Sequence, residues 1–310
     1  MSLTVKNLSK KYDKNLVLDS INFKLNQGEV ISIVGSSGCG KTTLLKCISG
    51  LCSVNKGEIN INLKPVHDLP PNKRNIGYVF QESPLFPHLS IVENIVFNIK
   101  KIDEEKLNFL LEKIKIKHLK NKYPHEISGG ENQRTAVARS LIRNPDLFLL
   151  DEPFTNLDEI TKEHTKELIF ETIKETNTTT ILVNHDIQDS LELSDKLLVL
   201  DNANIKMLDS PFKVYSEPNS LKTAQLFGEV NHLKIKEEDI YVRPHDIIIT
   251  EQSGLQAKVV KTKFLGQFYK IIAKIESRNV TLFHDKDIEL NSHIKLKIKQ
   301  EKKIKFNSNQ

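Results

Sequence analysis

Residues 30–42 read Val30-Ile-Ser-Ile-Val34-Gly35-Ser36-Ser37-Gly38-Cys39-Gly40-Lys41-Thr42, and their reading decides the fold. Val30–Val34 is a short β-branched run of the kind a buried strand needs, and residues 41–50 have helical spacing. Between them lies G-x-x-x-x-G-K-[ST], the phosphate-binding loop, in its required setting of strand, loop and helix. Glycines let backbone N–H groups curl around an oxygen-rich anion, and the helix start adds partial positive charge. Lys41 is placed to reach β- and γ-phosphates, and the Thr42 hydroxyl to ligate Mg²⁺. A plain glycine-rich turn would not need the strand before it and the helix after it.

Working outward, short β-branched runs alternate with helical stretches, the pattern of an α/β fold with a largely parallel sheet. Strands are expected at 3–8, 17–25, 29–34, 57–62, 76–80, 146–151, 179–184 and 195–201. Helices are expected at 41–50, 90–99, 103–116, 130–143, 159–176 and 186–193. Leu147-Phe-Leu-Leu-Asp151-Glu152 is an apolar strand that ends in two carboxylates. Alone it reads equally well as a core strand closed by an acidic turn. Beside a phosphate loop, Asp151 becomes the expected outer-sphere Mg²⁺ partner and Glu152 a general base for the attacking water.

Beyond residue 230 the period falls to two, with Val259, Ile271, Ile275, Ile294, Leu296 and Ile298 among polar neighbours, so a small antiparallel β domain is expected. The charge distribution agrees. Residues 1–228 carry 29 basic and 29 acidic side chains, whereas residues 229–310 carry 16 and 11, which accounts for the whole net charge of +5. Two domains are expected, 1–228 and 229–310. The alternation of lysine with Ile294, Leu296 and Ile298 reads as an edge strand guarded by charge; Lys302, Lys303 and Lys305 either extend it or meet an anionic membrane leaflet, the first being the preferred reading.

Other function classes fall away on composition. The chain of 310 residues, 38% hydrophobic and 27% charged, is long enough for two ordinary cores. No run approaches the ~18 apolar residues of a membrane span, and the first residues do not resemble a signal peptide. Cys39, Cys47 and Cys52 are an odd set, which fits a reducing compartment. A charge-balanced first part argues against nucleic acid as a partner.

Ile127-Ser128-Gly129-Gly130-Glu131-Asn132-Gln133-Arg134 resembles the signature of ATP-binding-cassette ATPases. The resemblance covers about residues 3–228 and implies a RecA-like core with a helical subdomain at about 88–143. In that family the signature, here Ser128, Gly129, Gly130 and Glu131, contacts ATP held by a second cassette. A head-to-tail dimer with two shared sites is thereby implied. The resemblance further implies that Tyr12 stacks on adenine and that Gly35 through Thr43 (Thr43 included) hold phosphate. Gln81 would sense Mg²⁺ and water, Asp158 would sit at the dimer interface, and His185 would contact the γ-phosphate. Catalysis would fall to Glu152, His185, Gln81 and Lys41, with Thr42, Gln81 and Asp151 around Mg²⁺. Pro84–Pro87 and Leu89–Asn94 match the surface that receives a permease's coupling helix.

Tyr241-Val-Arg243-Pro244-His-Asp246 and Phe264-Leu-Gly266-Gln-Phe268-Tyr269 are similar to the small β-barrel (TOBE-like) domain of importer cassettes. Within that group, Val79–Leu89, Tyr123–Glu126 and Asp151–Asp158 look most like ferric-iron importers, ahead of polyamine, sulfate, molybdate and sugar importers. The resemblance implies permease partners, an extracytoplasmic solute-binding protein, and a place on the cytoplasmic face of the bacterial inner membrane. Glu131 departs from the family's usual Gln and would set a carboxylate near the partner's nucleotide. An exporter ATPase, or a cassette acting on nucleic acid, stays open as the alternative.

Overall fold

The computed structural model describes residues 2–82, 84–235, 238–299, 303, 304 and 306. Contact divides the chain into two compact units, Met1–Pro211 and Phe212–Gln310. In chain order the first part contains β1 (Leu3–Tyr12), β2 (Asn15–Leu25), β3 (Val30–Val34), α1 (Lys41–Ser49), β4 (Lys56–Ile61), β5 (Lys64–Pro65), β6 (Ile76–Val79), α2 (Ile91–Val96), α3 (Glu104–Lys113), α4 (Gly129–Leu141), β7 (Leu147–Asp151), α5 (Glu159–Glu175), β8 (Thr180–Val183), α6 (Ile187–Leu193), β9 (Lys196–Asp201) and β10 (Asn204–Asp209). The expected strands and helices are present, with ends shifted by a few residues. β5 and β10 were not foreseen.

One sheet runs β10-β9-β3-β8-β7-β6, parallel except for β10. β3, β7 and β8 are buried along their whole length because both faces are covered, so they read as unbroken apolar runs. On one face, Leu44, Leu45 and Ile48 of α1 pack with Ile31, Leu149 and the antiparallel sheet β2-β1-β4-β5. On the other, Ile95, Leu110, Val137 and Ile169 from α2 to α5 cover Phe148, Leu150 and Leu182.

The helices start where a side chain can satisfy an otherwise unpaired N–H. Ser90 and Glu93 form a capping box at α2, and Asp103, Asp158 and Asp186 accept from backbone amides at α3, α5 and α6. Each such cap is worth about 1 kcal/mol against alanine. Because β3, β8 and β7 are neighbours, their carboxyl ends deliver the 35–41 loop, the 184–186 turn and Asp151-Glu152 to one edge. That edge is where open α/β sheets bind ligands. Among the described residues no helix is long and apolar enough to cross a membrane.

Next come α7 (Pro211–Ser216), α8 (Leu221–Leu226), β11 (Asn231–Ile235), β12 (Glu238–Val242), β13 (Ile247–Ile249), β14 (Leu255–Phe264), β15 (Tyr269–Ile275), β16 (Arg278–His284) and β17 (His293–Ile298). The compositional shift at 228–232 falls between α8 and β11. β11 and β12 pair antiparallel, and the rest form an antiparallel sheet, β13-β17-β14-β15-β16. Its edges β13 and β16 approach each other, so the sheet curls around Val259, Ile271, Ala273, Val280, Leu282 and Leu296. Arg243 is buried, donates to the carbonyls of Ala224, Phe227 and Tyr215, and stacks 3.9 Å from the Tyr215 ring.

One expectation is overturned. β17 is an interior strand, paired with β13 on one side and β14 on the other. Its lysines therefore line a sheet face and guard no edge. Alternation reports which face a residue occupies and says nothing about whether a strand has one neighbour or two. Lys302 and Lys305 lie outside the described residues.

Candidate functional site

The loop after β3 is shaped by glycine. A Cβ at Gly35 would lie 2.1 Å from the Leu200 carbonyl oxygen, closer than atoms can approach. Gly40, at φ 107°, caps α1 with no side chain, so the amides of the first turn keep no internal partner from a cap. Lys41 is buried and its Nζ donates to the carbonyls of Gly35 and Ser36, at 2.9 and 3.2 Å.

A cavity of about 240 Å³ opens over this helix start, walled by Val17, Ser37, Gly38, Gly40, Lys41, Thr42, Thr43, Glu152 and His185. A second cavity of about 640 Å³ shares Val17, Ser37 and Gly38 and continues past Ser36 and Cys39 to Asn202–Asn204. Thr42 Oγ1 donates to Asp151 Oδ1 at 3.1 Å, and Tyr78 Oη donates to Asp151 Oδ2 at 2.9 Å. Burial, then the Asp151 charge, pushes the Tyr78 hydroxyl well above its ordinary range, so it stays a donor. Tyr78 was not foreseen. A tyrosine on a strand carries no motif, and only the β6–β7 pairing sets it against Asp151.

Glu152 stands at φ 50°, a positive value that costs a non-glycine residue on the order of 1–3 kcal/mol. Its Oε1 lies 2.6 Å from His185 Nε2. Tyr12 ends β1, is exposed, and lines neither cavity. Its hydroxyl lies 3.2 Å from Cys52 Sγ, and the Lys10 ammonium sits 4.9 Å from the ring centroid. Gln81 is exposed in the bend after β6 and lines neither cavity. Ser128–Glu131 and Asp158 also lie outside both cavities.

The comparisons with known proteins meet this geometry. The family model described as ABC transporter matches residues 18–155. A ferric-ion import ATP-binding protein of Fusobacterium nucleatum is 32% identical, across 97% of this chain and 92% of that one. A spermidine/putrescine import ATP-binding protein of Mycoplasma capricolum is 32% identical, across 95% of each. A sulfate/thiosulfate import ATP-binding protein of Pectobacterium atrosepticum is 33% identical, across 89% and 88%. The chain belongs to the ABC import ATPase family.

Its members are ATPases coupled to transport, and solved cassettes share its fold. The cassette MJ0796, seen as a post-hydrolysis dimer with ADP and Pi, is 29% identical, with a TM-score of 0.59 over 67% of this chain and 98% of that one. CbiO1 of Clostridium perfringens, part of the complex cbiONQ, is 30% identical, with a TM-score of 0.63 over 68% and 89%.

In this ABC import ATPase the signature starts α4. The Ser128 side chain accepts from Glu131 N, and Glu131 Oε2 accepts from Ser128 N at 2.8 Å. Burial works to raise the Glu131 pKa, but the Ser128 bonds, helped by Arg134 and His118, hold it below the ordinary range. The carboxylate therefore stays charged and turned onto its own helix. Asp158 caps α5 through Thr161 N at 3.1 Å.

Proposed function

We propose that this ABC import ATPase hydrolyses ATP between its own phosphate loop and the signature of a second copy. Hydrolysis would drive uptake of a small solute, ferric iron first among candidates, through a membrane permease. The observation that carries the chemistry is the 2.6 Å contact between Glu152 and His185 at the mouth of the cavity built by Lys41 and Thr42.

The donor set suits Mg²⁺. Thr42 Oγ1 would be a hard oxygen ligand, and Asp151 Oδ1, 3.1 Å from it, buried and held by Tyr78, would be the outer-sphere partner. Bound there, Mg²⁺ supplies charge neutralisation at the β- and γ-phosphates. The protein's own groups do the rest. Backbone amides from Gly35 to Thr43 receive phosphate oxygens, and Lys41 adds positive charge. Glu152 accepts a proton from the attacking water while His185 orients it and meets the γ-phosphate. Tyr12 offers its ring face to adenine, with Gln81 the group that reaches in from outside the cavity.

A groove of about 630 Å³ between Pro71, Tyr78, Phe80, Leu85, Phe86, Phe97 and Arg139 supports permease docking, beside the 84–94 segment. Two-copy assembly, a solute-binding protein and the cytoplasmic face of a bacterial inner membrane follow as parts of the same reading. The ferric-iron choice leans on the Fusobacterium relative and the matched segments around Gln81 and Glu152. The test is hydrolysis by the full chain in complex with its permease, stimulated by binding protein charged with Fe³⁺, spermidine or sulfate. Stimulation by the Fe³⁺ form alone is expected, and stimulation by another form reassigns the cargo. Glu152→Gln should bind ATP and pair while hydrolysis falls about 10²–10⁴-fold; undiminished turnover removes Glu152 from its role.

A further inference from the structure

Lys162 and Lys166 stand one turn apart on α5, both buried, facing Asp189 on α6, which is 2% exposed. Lys162 Nζ lies 2.5 Å from Asp186 Oδ2 and 3.1 Å from Asp189 Oδ2. Lys166 Nζ lies 2.9 Å from Asp189 Oδ1. Asn184 Nδ2 donates to Asp189 Oδ2 at 2.8 Å, and Asp186 N donates to Asn184 Oδ1 at 3.2 Å. Both chain neighbours of His185 are thus tied to one buried ionic node. In the other direction, Lys162 N donates at 2.8 Å to the carbonyl of Asp158, the residue that caps α5.

Buried ion pairs are a poor source of stability, since apolar residues of the same volume often do as well. Their directed contacts instead hold geometry. We propose that Lys162 is a positioning residue: it fixes the Asn184-His185-Asp186 turn so that His185 keeps its contact with Glu152, and it transmits displacement of the loop at Asp158 to that histidine. The proposal rests on the reading in which His185 and Glu152 serve hydrolysis and Asp158 meets the second copy. Lys166 shares Asp189 but has no bond to Asp186 among the contacts described, so it anchors the node without gripping the turn.

The experiment is ATP turnover, ATP affinity and thermal stability on the full chain. Lys162→Met should lower kcat about tenfold or more, as misplacement of a catalytic group does. ATP affinity should hold within about twofold, the signature of a loss confined to the transition state. Lys162→Arg should recover most of kcat, and Lys162→Met with His185→Ala should be no slower than His185→Ala alone. Lys166→Met should match the stability loss but retain kcat. If Lys162→Met does not fold, Asp186→Asn, which weakens the Lys162 grip and leaves the Lys166–Asp189 pair in place, carries the same test. Additive losses in the double variant, or kcat falling equally for both lysines, overturn the proposal. So does a slow His185→Ala beside an unaffected Lys162→Met. If His185→Ala itself hydrolyses normally, the assignment of His185 fails first.

Discussion

Two helix starts in this cassette present their first-turn amides on different terms. α1 begins at Gly40 with no side-chain cap and no acidic residue in its first turn. α4 begins at Ser128 inside a closed capping box, with Glu131 charged in its first turn. The same physics, unpaired amides plus a helix dipole, leaves the first start open to phosphate and fills the second from within. In the proposed two-copy assembly, a partner's nucleotide approaching Ser128 would compete with a carboxylate that already holds the Ser128 amide.

The largest effect expected from this contrast is at Gly40. Gly40→Ala would force a side chain to φ 107° with its Cβ 2.9 Å from the Val17 carbonyl oxygen. Strain of about 1–3 kcal/mol should weaken ATP binding roughly 5- to 150-fold, measured by nucleotide titration. By contrast, Gly129→Ala meets Leu157 Cδ2 at an ordinary 3.5 Å and should leave thermal stability unchanged. Next, Ser128→Ala removes the cap and should cost about 1 kcal/mol in denaturant unfolding.

Glu131→Gln should act in two opposed directions. Losing the negative charge at a helix start costs about 0.3–1 kcal/mol of stability. The same loss removes repulsion, so turnover of the paired cassette should rise by roughly 2- to 5-fold, that energy converted. Turnover that falls would show the carboxylate helps the shared site. The pH sense follows from the lowered pKa: Glu131's contribution is present above its unfolded value of about 4.3 and is lost as pH falls through the lowered folded value.

The smallest effect concerns the thiols beside α1. Burial, then the neighbouring Cys52, pushes Cys47 up to about 12. Burial also works against Cys52, but bonds from Tyr12, Lys10 and Cys47 bring it below its usual value. Alkylation near neutral pH should label Cys52 well before Cys47, and labelling should be slowed by ATP if adenine covers Tyr12. Equal rates would break the distinction.

Much of the first unit was legible because its signals are local. The phosphate loop, the run ending at Asp151-Glu152 and the signature each lie within a dozen residues. The alternation past residue 230 correctly gave antiparallel strands but misjudged β17, because neighbour number is not encoded in period. Tyr78 and the Lys162–Asp189 node were invisible for a related reason. Their partners lie 73 and 27 residues away along the chain, and no spacing rule reaches across strands or between helices.

By itself the sequence determined that a phosphate loop follows a buried strand, that two carboxylates end another, and that the signature opens a helix. Those are consequences of backbone propensity and short-range bonding. Only the tertiary structure decided that β3, β8 and β7 lie side by side, so that Lys41, Glu152 and His185 converge on one edge. It also decided that Glu131 turns inward and that charge lies buried between α5 and α6. The reason is physical: long-range pairings are selected by burying the whole apolar surface at once, a global condition that no single segment carries.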